Sequence, residues 1–401
     1  MRLLNTETFE LDSFPAAEDA PPYAILSHTW GHEEVLFEDA RHGKEHLHNC
    51  GKEGLYKVLR STSKANHDGY GYIWIDTCCI DKSSSAELSE AINSMFAWYQ
   101  HSAVCYAYLV DYEHGTGDQL SASRWFTRGW TLQELIAPSD VQFFDSYWCG
   151  FGDRTQLCSE ITKACSLCQE NADLDKVLDL FSISSRMSWA SNRRTTRVED
   201  IAYSLLGIFK VTMPLLYGEG ARAFQRLQHE IARSSHDQTL LVWSDESGEV
   251  GHDELFAPHP SMFRMGSEFR PVPGLLDDHS MAITDKGLEI DAYLLQCTVS
   301  YPELANVKHK KWWLAALSCS RVDDDFACAA VLLERTKRAS MSFTRSRAEF
   351  KTIHGPLLVR YGASTADAPK WPLGEHLTNE SEWLREPNGT NLDDRRHRPS
   401  R

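Results

Sequence analysis

The chain has 401 residues, of which 42% are hydrophobic, and a formal net charge of -16 at pH 7. This composition supports a sizeable core and excludes wholesale disorder, and at about 150 residues per domain it leaves room for two or three domains. The excess of acid argues against general affinity for nucleic acid or an anionic membrane, both of which need basic surface. Eleven cysteines, an odd number scattered along a long chain, fit reduced thiols in the cytoplasm better than a disulfide framework. No run approaches the roughly 18 apolar residues of a membrane span, and Met1 to Phe14 lacks a basic-then-apolar leader.

Residues 2–13 alternate apolar and polar side chains, which predicts a hairpin or edge strand. Tyr23-Ala-Ile-Leu-Ser-His-Thr-Trp-Gly31 begins as a buried strand and stops in Ser27, His28 and Thr29. Polar residues just past a strand's carboxyl end line the ligand crevice of an open α/β sheet. A modest helix follows over 52–66. Tyr72-Ile-Trp-Ile-Asp-Thr-Cys-Cys79 is a second apolar strand ending in Asp76, and Ser84 with Glu87 forms a capping box before a helical stripe through Tyr99. The third strand is Val104 to Val110, ending at Asp111.

Ser123 to Pro138 reads as one helix, capped by Ser123 and stopped by Pro138. Trp125, Gly129, Leu132 and Ile136 share one face; Thr127, Trp130, Thr131 and Glu134 share another. Trp130 and Glu134 place an indole beside a carboxylate, although a core Trp beside a solvated Glu gives the same spacing. Val141–Phe144 is the fourth strand, ending at Asp145. Alternating strands and helices predict a doubly wound parallel sheet with its crevice at the carboxyl ends.

The expected domains are therefore an α/β domain over 1–150, a helical segment over 151–238, a β-rich domain over 239–362 and a mobile tail over 363–401. In the second segment Thr196 and Glu199 read as a capping box for an amphipathic helix through Phe209, and Tyr217-Gly-Glu-Gly220 is a connector without the Lys of a phosphate-binding loop. In the third, Leu240 to Trp243 is the first of five expected strands. Cys165-Ser-Leu-Cys168 has no second pair at finger-like spacing, so no structural metal is expected.

Four stretches resemble successive blocks of the fungal heterokaryon-incompatibility (HET) domain, in order. They are Tyr23 to Gly31, Trp74-Ile-Asp-Thr-Cys-Cys-Ile-Asp-Lys82, Glu90-Ala-Ile-Asn-Ser-Met95 and Arg128-Gly-Trp-Thr-Leu-Gln-Glu-Leu135. The resemblance implies a part in nonself recognition and cell death after incompatible hyphae fuse. It also implies distant kinship with Toll/interleukin-receptor (TIR) domains, hence a flavodoxin-like fold. Some TIR domains cleave NAD with a glutamate in a Ser-x-Trp-Cys-x-x-Glu-Leu motif. Gly129-Trp-Thr-Leu-Gln-Glu-Leu135 is similar, with Thr131 in the cysteine's place.

Three readings of the site follow. In the first, NAD is a substrate and no cofactor is needed: Glu134 is catalytic, and Ser27, His28, Trp30, Asp76, Arg128 and Trp130 bind substrate. In the second, the domain is a non-catalytic module acting by self-association or through a receptor-type partner. In the third, Cys78 or Cys79 with His28 forms a thiol hydrolase.

Overall fold

A computed structural model of the chain describes residues 1–165, 167, 178–244, 255–272, 281–284, 287–289, 293–298, 311–323, 327–335, 343–345 and 357–360. The expected tail over 363–401 and Cys168 lie outside the described residues. The chain divides into two compact units. The first is Met1–Phe181 with Trp189–Ile231, and the second is Ser182–Ser188 with Ala232–Arg401.

The first unit is built on a seven-stranded sheet. Its strands are β1 (Arg2–Asn5), β2 (Leu11–Ser13), β3 (Ala24–His28), β4 (Tyr72–Trp74), β5 (Val104–Tyr108), β6 (Val141–Phe144) and β7 (Gly150–Asp153). The order across the sheet is β2-β1-β4-β3-β5-β6-β7. The four central strands are parallel, and the expected amino-terminal hairpin adds antiparallel to β4. Counting only the parallel strands gives the order 2-1-3-4, that of flavodoxin-like sheets, with the direction of winding reversing between β3 and β5. Every residue of β3 and β5 is buried, as expected of central strands covered on both faces.

The helices are α1 (Phe37–Ala40), α2 (Lys44–His48), α3 (Leu55–His67), α4 (Asp76–Cys79), α5 (Ser85–His101), α6 (Arg124–Thr127), α7 (Thr131–Ile136) and α8 (Cys158–Cys165). Register fixes what β3 shows to each side. Leu26 and His28 stand opposite Tyr106 and Tyr108, whereas Ser27 stands opposite Ala107. The Tyr106 hydroxyl reaches Asp68 at the end of α3, at 2.6 Å, so His28 shares the α3 side. Ser27 points to the other side, toward α7. The last two residues of one strand thus serve opposite faces of the sheet at its carboxyl edge.

The single helix expected over 123–138 is two short ones. Arg128 is extended (φ -83°, ψ 137°) and forms a parallel bridge with Arg194. The Arg194 amide donates to Thr127 O at 2.7 Å, and the Gly129 amide donates to Arg194 O at 2.9 Å. Gly129 is required by this approach, since a Cβ there would lie 2.5 Å from Thr195 Cγ2. Pairing with a segment about sixty-five residues downstream (194 against 128) overrides the helical spacing.

The expected helix through Phe209 is likewise cut to α10 (Asp200–Tyr203). Val198, placed on its apolar stripe, is 57% exposed. The Glu199 carboxylate does not cap; it accepts from the amides of Gly218 and Gly220 at 2.8 and 3.0 Å, which consumes the donors of the 217–220 connector. Ser84 does cap α5, but Glu87 returns no bond to it. Its carboxylate accepts from the Asp81 amide and pairs with Arg2.

In the second unit, α9 (Ile183–Ser188) precedes the division that falls within α11 (Arg222–Ser234). Leu240 to Trp243, expected as strand, lies largely in a 3-10 turn over Gln238–Leu241. Strands β8 (Phe269–Pro271), β9 (Ala282–Thr284), β10 (Gly287–Glu289), β11 (Tyr293–Thr298), β12 (Lys311–Arg321), β13 (Ala327–Arg335), β14 (Phe343–Arg345) and β15 (Leu357–Arg360) follow. β9 and β10 pair with each other, and the other six form one antiparallel sheet.

Candidate active site

β3 ends beside the reversal point of the sheet, so its terminal polar residues are buried and need partners. Ser27 is fully buried; its hydroxyl accepts from Trp125 Nε1 at 2.8 Å and donates to Glu134 Oε2. The Tyr99 hydroxyl, which donates to Leu26 O at 3.2 Å, is a further polar neighbour of Glu134. Glu134 is 7% exposed. Burial pushes its carboxyl up to about 8, against the pull of Ser27, Arg128 and Tyr99, with nearby Asp76 adding to the rise. At neutral pH this group is mostly protonated in the free protein.

α7 has six residues, too short to hold itself together. Two buried guanidinium groups pin it. Arg193 donates to Arg128 O at 2.7 Å and Thr131 Oγ1 at 2.9 Å, at the helix start. Arg154 donates to Leu135 O at 2.7 Å and Pro138 O at 2.8 Å, satisfying carbonyls at its end. Glu134 therefore sits on a helix whose ends are both fixed by side chains from outside it.

The other side of the strand end is a charged cluster. His28 is 5% exposed, and burial with the nearby ammonium of Lys57 lowers its imidazole to about 3, so it is neutral. Its Nε2 stands 3.7 Å from Asp76 Oδ1 and 4.0 Å from Glu34 Oε2. Glu34 holds the turn after β3, accepting from the Gly31 amide and from Lys57 Nζ at 2.6 Å. Asp76, at the start of α4, accepts from Trp30 Nε1 at 2.9 Å and faces Lys82 Nζ at 3.5 Å. Burial raises the Asp76 carboxyl, but Lys82, His28, Lys57 and the Trp30 indole outweigh it and leave a net lowering. Lys82 Nζ lies 3.6 Å from the centre of the Trp30 ring.

Arg128 touches both halves electrostatically: its charge lowers His28 and Glu134 alike. Its guanidinium makes no hydrogen bond or ion pair among the described residues. Of the residues expected at the site, Ser27, His28, Trp30, Asp76, Arg128 and Glu134 thus form one neighbourhood. Trp130 is half-buried at the start of α7, where its indole is a polar neighbour of Asp200 and favours that carboxylate's charge.

Sequence reasoning missed Glu34, Lys57, Trp125 and Arg193. Helical spacing puts Trp125 on one face with Gly129, Leu132 and Ile136, and only its hydrogen bond to Ser27 reveals its role. Glu34 had a signal, an acid three residues after Gly31 in the loop leaving the strand.

Cys78 and Cys79 are buried, and burial pushes both thiols up, Cys79 to about 12. Such thiols are poor nucleophiles. Among the described residues no group of three or more His, Cys, Asp and Glu side chains is arranged to hold a metal ion.

Residues 23–121 match the family model described as heterokaryon incompatibility protein (HET). The chain carries a HET domain. Over 225 residues it is 46% identical to vegetative incompatibility protein HET-E-1 of Podospora anserina, a match that covers 53% of this chain and 16% of that protein. No solved structure matches. Of the four central strands, β3, β4 and β5 lie within the matched span, whereas β6, Glu134 and Arg193 lie beyond it. Among the described residues no helix is long and apolar enough to cross a membrane.

Proposed function

We propose that this chain acts in fungal vegetative incompatibility as an effector of nonself-triggered cell death, and that its crevice hydrolyses the nicotinamide–ribose bond of NAD. The observation that carries the chemistry is Glu134: a buried carboxyl, held by Ser27 at the reversal point of the sheet, with an unpaired Arg128 guanidinium nearby. The name of the matched relative supports the biological role. The likeness of residues 129–135 to the TIR glutamate motif supports the reaction.

The bond broken joins the ribose C1′ to a positively charged pyridinium nitrogen. Its electron pair leaves with neutral nicotinamide, and the charge passes to the sugar as an oxocarbenium ion. Water attacks C1′ and releases a proton, giving ADP-ribose. A carboxyl kept protonated by desolvation gives up its proton to bulk solvent as a cationic ring binds, because the cation supplies the missing counter-charge. The resulting carboxylate lies in a water-poor site, where it stabilises the developing charge more than it would in water. Ser27, already bonded to Trp125 and Glu134, holds the carboxylate rather than the substrate. Arg128 takes a phosphate.

Expression in a fungal host tests this reading in the cell. Wild-type protein is expected to arrest growth with a fall in cellular NAD, and Glu134→Gln to do neither at equal abundance. Equal arrest by both with NAD unchanged would refute the enzymatic reading.

A further inference from the structure

The His28 side of the crevice contains polar atoms that the free protein leaves unused. His28 Nε2, Glu34 Oε2, Thr29 Oγ1 and Lys82 Nζ are all buried without a hydrogen-bond partner among the described residues. His28 and Glu34 are more than nine-tenths buried. The gaps from His28 Nε2 to Asp76 Oδ1 and Glu34 Oε2, 3.7 and 4.0 Å, are too long for direct bonds. They are short enough to be spanned by an oxygen about 2.8 Å from each side.

The charges say what kind of group fits. A metal cation would face Lys57 Nζ, which is 2.6 Å from Glu34, and Lys82 Nζ, which is 3.5 Å from Asp76. An anion would face two carboxylates. With His28 neutral, the two acids and the two ammonium groups nearest them cancel, so a neutral hydroxyl-bearing group suits the immediate contacts, with Arg128 an outlying cation. A hydroxyl accepts from an imidazole N–H and donates to a carboxylate at once. Two adjacent hydroxyls would use both carboxylates, one of them accepting from the single Nε2–H.

We propose that His28, Asp76 and Glu34 form a chamber that binds the vicinal diol of a ribose. The proposal rests on the nucleotide reading above for the kind of diol. Trp30 and Lys82 cover the chamber. Trp30 is 40% exposed, its indole is tied to Asp76, and the Lys82 ammonium lies on its ring. A ribose enters by displacing this pair, and the chamber then discriminates ribosides from deoxyribosides.

The test is calorimetric titration of the full chain with ADP-ribose and with its two analogues, each lacking the 2′-hydroxyl of one ribose. A buried partner left unpaired costs about 1–3 kcal/mol, so one analogue is expected to bind on the order of tenfold to a hundredfold more weakly. Asp76→Asn and Glu34→Gln are expected to bring that ratio near one without weakening the deoxy analogue. Glu34→Gln removes the partner of buried Lys57 and can unfold the turn; Asp76→Asn leaves the Lys57–Glu34 pair in place and keeps the test available. Equal binding of all three ligands by wild type, no binding of ADP-ribose, or a ratio retained in Asp76→Asn would overturn the chamber. Nicotinamide release with a ratio of one removes the chamber and leaves hydrolysis standing. A ratio without release does the reverse.

Discussion

Replacing Glu134 with Gln should change how the stability of the first unit depends on pH, in a direction fixed by the site. Burial pushes the carboxyl up to about 8 in the folded chain, from its ordinary value of 4.5. Between these values the native state keeps a proton that the unfolded chain releases. The stabilisation is fully present below 4.5 and is lost as pH rises through 8. His28 works the other way. Its imidazole falls to about 3 from 6.5, so the unfolded chain binds a proton that the native state refuses, and stability is lost as pH falls through this window. The two slopes oppose each other between 4.5 and 6.5, and Glu134 acts without His28 between 6.5 and 8. There a slope of about 1.4 kcal/mol per pH unit, flattening near the folded value, amounts to about 1.5 kcal/mol. Gln keeps the shape and cannot ionise. Hydrogen exchange of β3 amides, corrected for the intrinsic pH dependence of exchange, reads the stability of the unit directly. Wild type should lose about 1.5 kcal/mol relative to Glu134→Gln over this interval. A difference that stays flat would mean that Glu134 is ionised or solvated in the folded protein, and the electrostatic argument for the site would fail.

Other expectations follow from single contacts. Gly129→Ala should cost about 1–3 kcal/mol through the clash with Thr195 Cγ2, and Thr195→Ser, which removes that methyl, should restore most of the loss in a denaturation series; no rescue would place the strain elsewhere. Arg193→Ala should destabilise the first unit by on the order of 1–3 kcal/mol by removing the guanidinium that ties Arg128 O and Thr131 Oγ1 and leaving them only the bonds of the Thr131 hydroxyl, and its Glu134 should titrate lower because a loosened α7 admits water; carbon NMR of labelled glutamate checks this, and an unchanged titration would contradict the pinning role. Iodoacetamide should label exposed Cys149 in the native protein and spare Cys78 and Cys79 until urea is added; rapid native labelling of either would reopen the thiol reading.

The strand blocks were legible because buried parallel strands are short apolar runs that stop in polar residues, as Ala24–His28 and Val104–Tyr108 do. The helices were legible where local rules prevailed, as in α5. They failed where distant backbone intervened. Arg194 pairs with Arg128 and breaks the expected helix, and Glu199 spends its carboxylate on Gly218 and Gly220 instead of a cap. The site shows the same division. Ser27, His28 and Asp76 could be placed from their position at strand ends. Trp130 could not, because helical spacing assumed an unbroken helix and the chain is extended at Arg128, two residues before it. Arg193 leaves no local mark; a guanidinium that supports a turn about sixty-five residues earlier (193 against 128) is visible only once the chain is folded.

The central claim is that the Glu134 crevice breaks the nicotinamide–ribose bond. Its most direct test is nicotinamide release from NAD by concentrated full-length protein, beside Glu134→Gln shown to be folded by its melting curve. Release by wild type and none by the variant is the predicted result. Equal release by both, or none by a wild-type sample that is demonstrably self-assembled, would contradict it.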